Sequence, residues 1–258
     1  MAEPIFTPAA IETLDGVYPE QPARLAHTLA GHELFTLEAL VALAGRLEPR
    51  QVEYNAGNLP VGIDPADVPG NGLSVVDTIR SIEECGSWMV LKFVESDPAC
   101  RSILEQALAE IAGVARPRTG AMLQAEAFIF ISSPDAVTPF HFDPEHNILL
   151  QLRGTKTMTV FPAADERIVP GEHHETFHLG GHRNLPWRDD FAAFGRAVPL
   201  APGDAIYVPV KAPHWVKNGP EVSISLSITW RSEWSYREEY ARRMNALLRR
   251  AASRTRTT

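Results

Sequence analysis

A mainly β fold with flanking helices, an α+β domain built on an antiparallel sandwich or barrel, is what this sequence predicts. Three observations carry that expectation. After Arg116 the chain falls into short runs rich in β-branched and aromatic residues, several of them separated by turns such as SSPD, RG and PGD. Before Arg116 the apolar residues recur at helical spacing instead. From Glu233 to about Arg250 a last helix is expected, so helices flank the β region on both sides in sequence.

In chain order, the first residues read as a proline-containing arm with little pattern. Leu37, Leu40, Val41, Ala44 and Leu47 then repeat at helical spacing behind Thr36, whose hydroxyl can cap the free amides of the first turn. Glu53 to Gly72 is so rich in Gly, Pro, Asn and Asp that it reads as loop. Ser74 caps a segment in which Val75, Ile79 and Ile82 share a face, and Trp88 to Val94 reads as a strand. Asp97 and Pro98 give the N-cap and first-turn proline of a helix with Ile103, Leu104, Ala107, Leu108 and Ile111 inward. The strands expected after it are Ala125 to Ile131, Asn147 to Leu152, Lys156 to Phe161, Ala205 to Val208 and Val222 to Trp230. With no internal repeat and no linker-like stretch, one domain over 1–258 is expected: a helical part at 1–116, a β core at 117–231, and a C-terminal helix and tail at 232–258.

The formal charge of −8 and the ordinary composition favour neither nucleic-acid nor membrane partners. No apolar run has the length of a membrane span and the first residues lack the pattern of a secretory signal, so a cytoplasmic location is the expectation. Cys85 and Cys100 have no metal or redox spacing and are expected reduced. Arg242, Arg243, Arg249, Arg250, Arg254 and Arg256 follow Ala241 with no acidic residue among them, as on a solvated helix face and tail.

The chemistry concentrates in TPFHFDPEHNILLQLRGTKTMTVF, Thr138 to Phe161. His141 and Asp143 are two apart, so on an extended segment an imidazole and a carboxylate point the same way. His214 lies beyond the strand Ala205 to Val208 and Pro209, and supplies a third ligand. Two histidines and one carboxylate, with the opposite face left open, form the facial triad of non-haem Fe(II) oxygenases, although Zn²⁺ accepts the same ligands. On TKTMTVF the alternation places Lys156 with Met158 and Val160 on the apolar side. A buried ammonium needs either a route to solvent or an anion. 2-Oxoglutarate, chelating the metal at one end and carrying a distal carboxylate, meets that need. Thr138 can add a hydrogen bond to the same carboxylate, and the amide of Asn147 can donate at the metal-binding end.

These residues in this order, TPxHxD, then Asn147, a hydrophobic strand, the RGTK turn and Lys156, followed by Gly203, Pro209, His214 and Asn218, resemble the Jumonji C (JmjC) group of 2-oxoglutarate oxygenases. More narrowly they are similar to the cupin-like hydroxylases related to factor inhibiting HIF. The specific likeness runs from Ala125 to Trp230, with Lys211 standing where the second motif prefers glycine. The resemblance implies a double-stranded β-helix, the jelly-roll or cupin core, buttressed by N-terminal helices, with Fe(II) at its open end held by His141, Asp143 and His214. It implies 2-oxoglutarate and O₂ as cosubstrates, with Lys156, Thr138 and Asn147 as contacts. The products are succinate, CO₂ and a hydroxylated C–H of a protein, peptide or small amino-acid-like substrate. It also implies a C-terminal helix that can form a homodimer. Demethylation of an N-methylated substrate uses the same oxidant and stays open.

Other polar residues are weighed against this site. On the last strand, Ser223, Ser225, Ser227 and Thr229 alternate with apolar residues, which makes Ser227, or Ser225, a further cosubstrate contact, and Trp230 core. Lys92 shares a face with Trp88 and Val90 and can approach the pocket. His146 projects away from Asp143 and reads as structural. The His-rich stretch Gly171 to Trp187 reads as a polar loop over the mouth, with His182, Arg183 and Asn184 as candidate substrate contacts. Two other classes compete: a non-catalytic metal-binding cupin serving as sensor or interaction module, and a cupin enzyme that does not use 2-oxoglutarate. The second leaves an inward Lys156 unexplained.

Overall fold

The computed structural model describes residues 3–255, so Arg256 of the arginine-rich tail lies outside the described residues. Among the described residues eleven strands form two antiparallel sheets around one interior. The larger sheet uses β1 (Ala23–Ala26), β2 (Val52–Ala56), β3 (Ser87–Lys92), β4 (Met122–Ser132), β6 (His146–Arg153), β9 (Asp204–Val208) and β11 (Ser223–Ser232), in the order β1-β9-β6-β11-β4-β3-β2. The smaller uses β5 (Val137–His141), β7 (Lys156–Val160), β8 (Arg196–Leu200) and β10 (His214–Asn218), in the order β5-β10-β7-β8. This is the expected jelly-roll core.

Alternation along each strand decides what the sheets face. Ile129 and Ile131 of β4, Ile148 and Leu150 of β6, and Ile224, Leu226 and Ile228 of β11 turn outward and pack beneath helices. Against them lie Ala10 and Leu14 of α1 (Pro8–Val17), Leu40 and Leu43 of α2 (Leu37–Ala44), Ile79 of α3 (Val75–Arg80), and Ile103, Leu104, Ala107 and Ile111 of α4 (Pro98–Thr119). The alternate residues turn inward: Leu149, Met158, Val160, Val198, Leu200, Ile206, Val208 and Val216 fill one part of the space between the sheets. The remainder of that space is a cavity. A third cluster, Phe140, Phe142, Phe161, Ile168, Val169, Leu185 and Phe191, holds the segment after β7 against the outside of the smaller sheet.

The capping residues read from sequence act as expected, with Thr36, Ser74 and Asp97 each accepting a backbone amide at a helix start. Elsewhere the structure corrects the reading. The first arm contains α1, started by Thr7 and Pro8, and β1. The stretch read as loop begins with edge strand β2, paired to β3. The strand from Trp88 stops at Lys92, because Phe93 turns into the left-handed region at φ 54°. Part of the His-rich stretch is a short helix, α5 (Gly171–Phe177), whose His174 is buried against Phe142. The last helix, α6 (Glu233–Thr255), follows β11 directly. Among the described residues no helix is long and apolar enough to cross a membrane. Both cysteines are free.

Candidate active site

His141 ends β5 and His214 begins β10, and the register sets the two directly opposite each other. Their ring centroids are 4.2 Å apart. Asp143, two residues past His141, lies beside both: its Oδ2 is 3.9 Å from His141 Nε2 and 3.7 Å from His214 Nε2. The three groups each offer a ligand atom within 4.8 Å of the others. The tautomers are fixed by neighbours. Nδ1 of His141 meets the carbonyl of Pro139 at 2.7 Å and Nδ1 of His214 meets that of Ala212 at 2.9 Å. A carbonyl only accepts, so each ring carries its proton on Nδ1 and turns the Nε2 lone pair toward the shared point. Burial, reinforced by His214, holds the pKa of His141 well below the ordinary imidazole range. Burial pulls the Asp143 carboxyl upward, but His141, Arg183 and His214 outweigh it and hold that carboxyl below its usual range. Both groups are therefore in the metal-binding protonation state near neutral pH.

Lys211 supports this geometry where glycine was expected. It adopts the left-handed conformation itself, at φ 65°, and its amide donates to Asp143 O at 2.8 Å. Its ammonium pairs with Glu238 of α6. The turn is kept at the modest cost of a non-glycine residue in that region.

His141 and Asp143 of this group line a cavity of about 610 Å³ between the sheets. Its walls follow from strand alternation: Trp88, Val90 and Lys92 from β3, Phe128 and Phe130 from β4, Ser227 and Thr229 from β11, Asn147 from β6 and Thr138 from β5. Ser227 donates to Asn147 Oδ1 at 2.9 Å, which leaves the Asn147 amide donors without a protein partner among the described residues. Ser225 does not reach the cavity; it is buried and donates to Gln151 Oε1. Lys92 lines the cavity but is paired to Glu53. His146 is structural: it is fully buried among Tyr18, Tyr207 and Trp230 and bonds Tyr207 and Ser232.

Lys156 is not among the residues that line this cavity. The register sets Thr138 beside Val216 and Val216 beside Met158, and Lys156 lies two residues further along the same face of β7. It is 6% exposed, with no hydrogen bond or ion pair among the described residues, and burial lowers its pKa from 10.5 to about 7. His214 pairs with Val160, so Lys156 lies four strand residues, roughly 13 Å, along β7 from the level of His214. A lysine side chain and a five-carbon dicarboxylate together span such a distance. An N, N, O donor set, an unmet amide donor and a buried ammonium lacking its anion fit Fe(II) and 2-oxoglutarate.

The segment after α5 contributes what sequence reading only touched. Leu185 N donates to Phe140 O at 2.8 Å, Phe142 N to Arg183 O at 3.3 Å, and Asn184 bridges to His141 as a short extra strand. His182, Arg183 and Asn184 thereby line the cavity. Arg183 Nη1 lies 2.6 Å from Asp143 Oδ1. Glu126 and Glu145 line it as well, and burial, with Asp143 adding to it, pushes the Glu145 carboxyl up to about 7.

A jelly roll carrying a His–Asp–His site at one end of its interior defines a metal-binding protein of the JmjC/cupin type. The chain belongs to the cupin-like domain family, which it matches over residues 93–236. It is 30% identical over 102 residues to lysine-specific demethylase 8 of Xenopus tropicalis, a stretch that is 36% of this chain and 22% of that protein. To lysine-specific demethylase JMJ30 of Arabidopsis thaliana it is 30% identical over 105 residues, 38% of this chain and 24% of that one. The chain thus spans about a quarter of the length of these relatives. Among solved structures, Escherichia coli ribosomal oxygenase YcfD superposes with a TM-score of 0.58 at 16% identity, covering 90% of this chain and 54% of that one. The same protein in complex with cobalt and 2-oxoglutarate gives 0.57 at 16% identity, over 89% of this chain and 53% of that one. At that identity the likeness is one of fold.

Proposed function

We propose that this chain, as a single domain, is an Fe(II)- and 2-oxoglutarate-dependent oxygenase that hydroxylates an unactivated C–H of a protein, peptide or amino-acid-like substrate. The observation that carries the reading is the pairing of two features in one interior. Nε2-presenting histidines converge with a carboxylate at the open end, and a buried, uncompensated Lys156 lies further along β7. When bound, Fe(II) and 2-oxoglutarate supply the oxidising chemistry, in which one oxygen atom of O₂ enters succinate as CO₂ leaves and the other enters the C–H bond.

The chain's own residues bind, orient and shield. His141 and His214 offer Nε2 and Asp143 offers one carboxylate oxygen, leaving the opposite face open. Lys156 and Thr138 hold the distal carboxylate of 2-oxoglutarate, and Asn147, braced by Ser227, donates at the chelating end. Trp88, Phe128 and Phe130 exclude water from the cavity. No side chain is needed as a base for removal of the substrate hydrogen. The similar proteins, a ribosomal oxygenase and lysine-specific demethylases by name, favour a protein substrate and keep demethylation beside hydroxylation.

A homodimer through α6 belongs to the same proposal, since Tyr240, Met244, Leu247 and Leu248 expose 54–63% of their surface on that helix. Sedimentation equilibrium at micromolar concentration tests it, and a monomer there removes it. The oxygenase reading is tested by succinate formation from 2-oxoglutarate with Fe(II) and O₂. Turnover is expected in the wild type and absent in His141→Ala, Asp143→Ala and His214→Ala. Wild-type turnover retained by any of the three defeats the triad.

A further inference from the structure

We propose that Arg183 is a positioning residue for the metal, holding one oxygen of Asp143 so that the carboxylate ligates through the other alone. The inference rests on the oxygenase reading above and deepens it. The two oxygens of Asp143 have different neighbours. Oδ2 is the atom near both imidazole Nε2 atoms, at 3.9 and 3.7 Å, while Oδ1 is engaged by Arg183 Nη1 at 2.6 Å. The guanidinium is kept there by its backbone. The segment 183–185 adds to β5 through the Phe142 and Leu185 amides, and Leu185 is anchored in the aromatic cluster with Phe140 and Phe161. The arginine also stays permanently charged, so its hold does not lapse with pH.

The consequence is how many positions stay open to the cosubstrate and O₂. Three protein ligands leave three of six octahedral positions, two for the chelating cosubstrate and one for O₂. A carboxylate free to swing can bind through both oxygens and take one of these. Arg183 occupies Oδ1 with a charge-assisted bond and so blocks the two-oxygen mode. Because the same residue belongs to the segment across the cavity mouth, metal binding and the seating of that segment are reciprocally linked. This role differs from substrate contact, which was the expectation for Arg183 from sequence.

The test uses the full chain, freed of metal and loaded with Co(II), whose visible spectrum reports its ligand set, then titrated with 2-oxoglutarate. Wild type must first bind both; failure there overturns the oxygenase reading and with it the ground for this role. Given that binding, Arg183→Gln is expected to keep Co(II), to show a shifted visible band before any cosubstrate is added, because a second carboxylate oxygen replaces a water, and to lose about tenfold in 2-oxoglutarate affinity, which must then displace that oxygen. Arg183→Lys, which restores a charge without the planar fork, is expected to fall between. An Arg183→Gln spectrum and 2-oxoglutarate affinity equal to wild type overturns the proposal. So does loss of Co(II) binding in a folded variant, because Arg183 would then be required for the metal itself. If Arg183→Gln does not fold, an unchanged Co(II) band in Arg183→Lys overturns it.

Discussion

Replacing Lys156 with methionine is expected to make the ligand-free protein more stable and at the same time less able to hold 2-oxoglutarate. Methionine keeps the length of the side chain and joins Met158 and Val160 on an apolar face, so packing changes little. What it removes is an ammonium buried without an anion. The fall in the Lys156 pKa from 10.5 to about 7, caused by burial, corresponds to about 5 kcal/mol of native-state penalty as an upper bound. The sign follows from proton linkage. Between these two values the unfolded chain binds the proton and the folded chain does not, so wild-type stability rises with pH across that window. The penalty is complete below about pH 7 and gone near pH 10.5. Urea unfolding at pH 6 is therefore expected to show Lys156→Met more stable by about 2 kcal/mol or more, with the two proteins converging at pH 10. Saturating 2-oxoglutarate with Co(II) is expected to raise wild-type stability well above that of the variant, since only the lysine meets the distal carboxylate. A variant less stable than wild type at pH 6, or one with unchanged 2-oxoglutarate affinity, would refute the reasoning.

Further outcomes follow from neighbouring residues. Thr138→Val, which keeps shape but deletes the hydroxyl, is expected to weaken 2-oxoglutarate by about 3- to 10-fold in calorimetry, less than Lys156→Met does. His146 is held down to about 3 by burial and Arg231, so wild-type stability is expected to drop as pH falls from about 6.5 toward 3; His146→Gln should flatten that part of the pH profile while leaving Co(II) binding intact. Gly154 sits at φ +65° in the turn before Lys156, and an added Cβ would lie 2.3 Å from Val222 O, so Gly154→Ala is expected to cost about 2 kcal/mol or more in thermal or urea unfolding.

The residues of the candidate site are the most legible, because ligand spacing and strand alternation are local. His141 and Asp143 needed only an extended segment, and Lys156 only the period of its strand. His214 was legible because a glycine turn, a strand and Pro209 place a rim after them. What sequence could not carry was pairing across long separations. β8 contains Pro199 and lies at the edge of its sheet, where a proline is tolerated but hides the strand signal. β2 is also an edge strand, and its polar VEYNA earned no strand reading. The α1 helix did announce itself through Thr7 and Pro8, a cap and first-turn proline like those read correctly at Asp97 and Pro98. Arg183 was named for the mouth, but its contact with Asp143 depends on the short pairing of 183–185 with β5, which no periodicity reveals. Serines of β11 looked equivalent in sequence; only the register separates Ser227, facing the cavity, from Ser225, bonded to Gln151.

The most direct measurement is an anaerobic titration of the metal-free protein with Fe(II) and then 2-oxoglutarate, followed in the visible range. The account predicts a charge-transfer band of the chelated complex, absent in His214→Ala and reached only at higher 2-oxoglutarate concentration in Lys156→Met. Stoichiometric Fe(II) binding with no band on adding 2-oxoglutarate would contradict it.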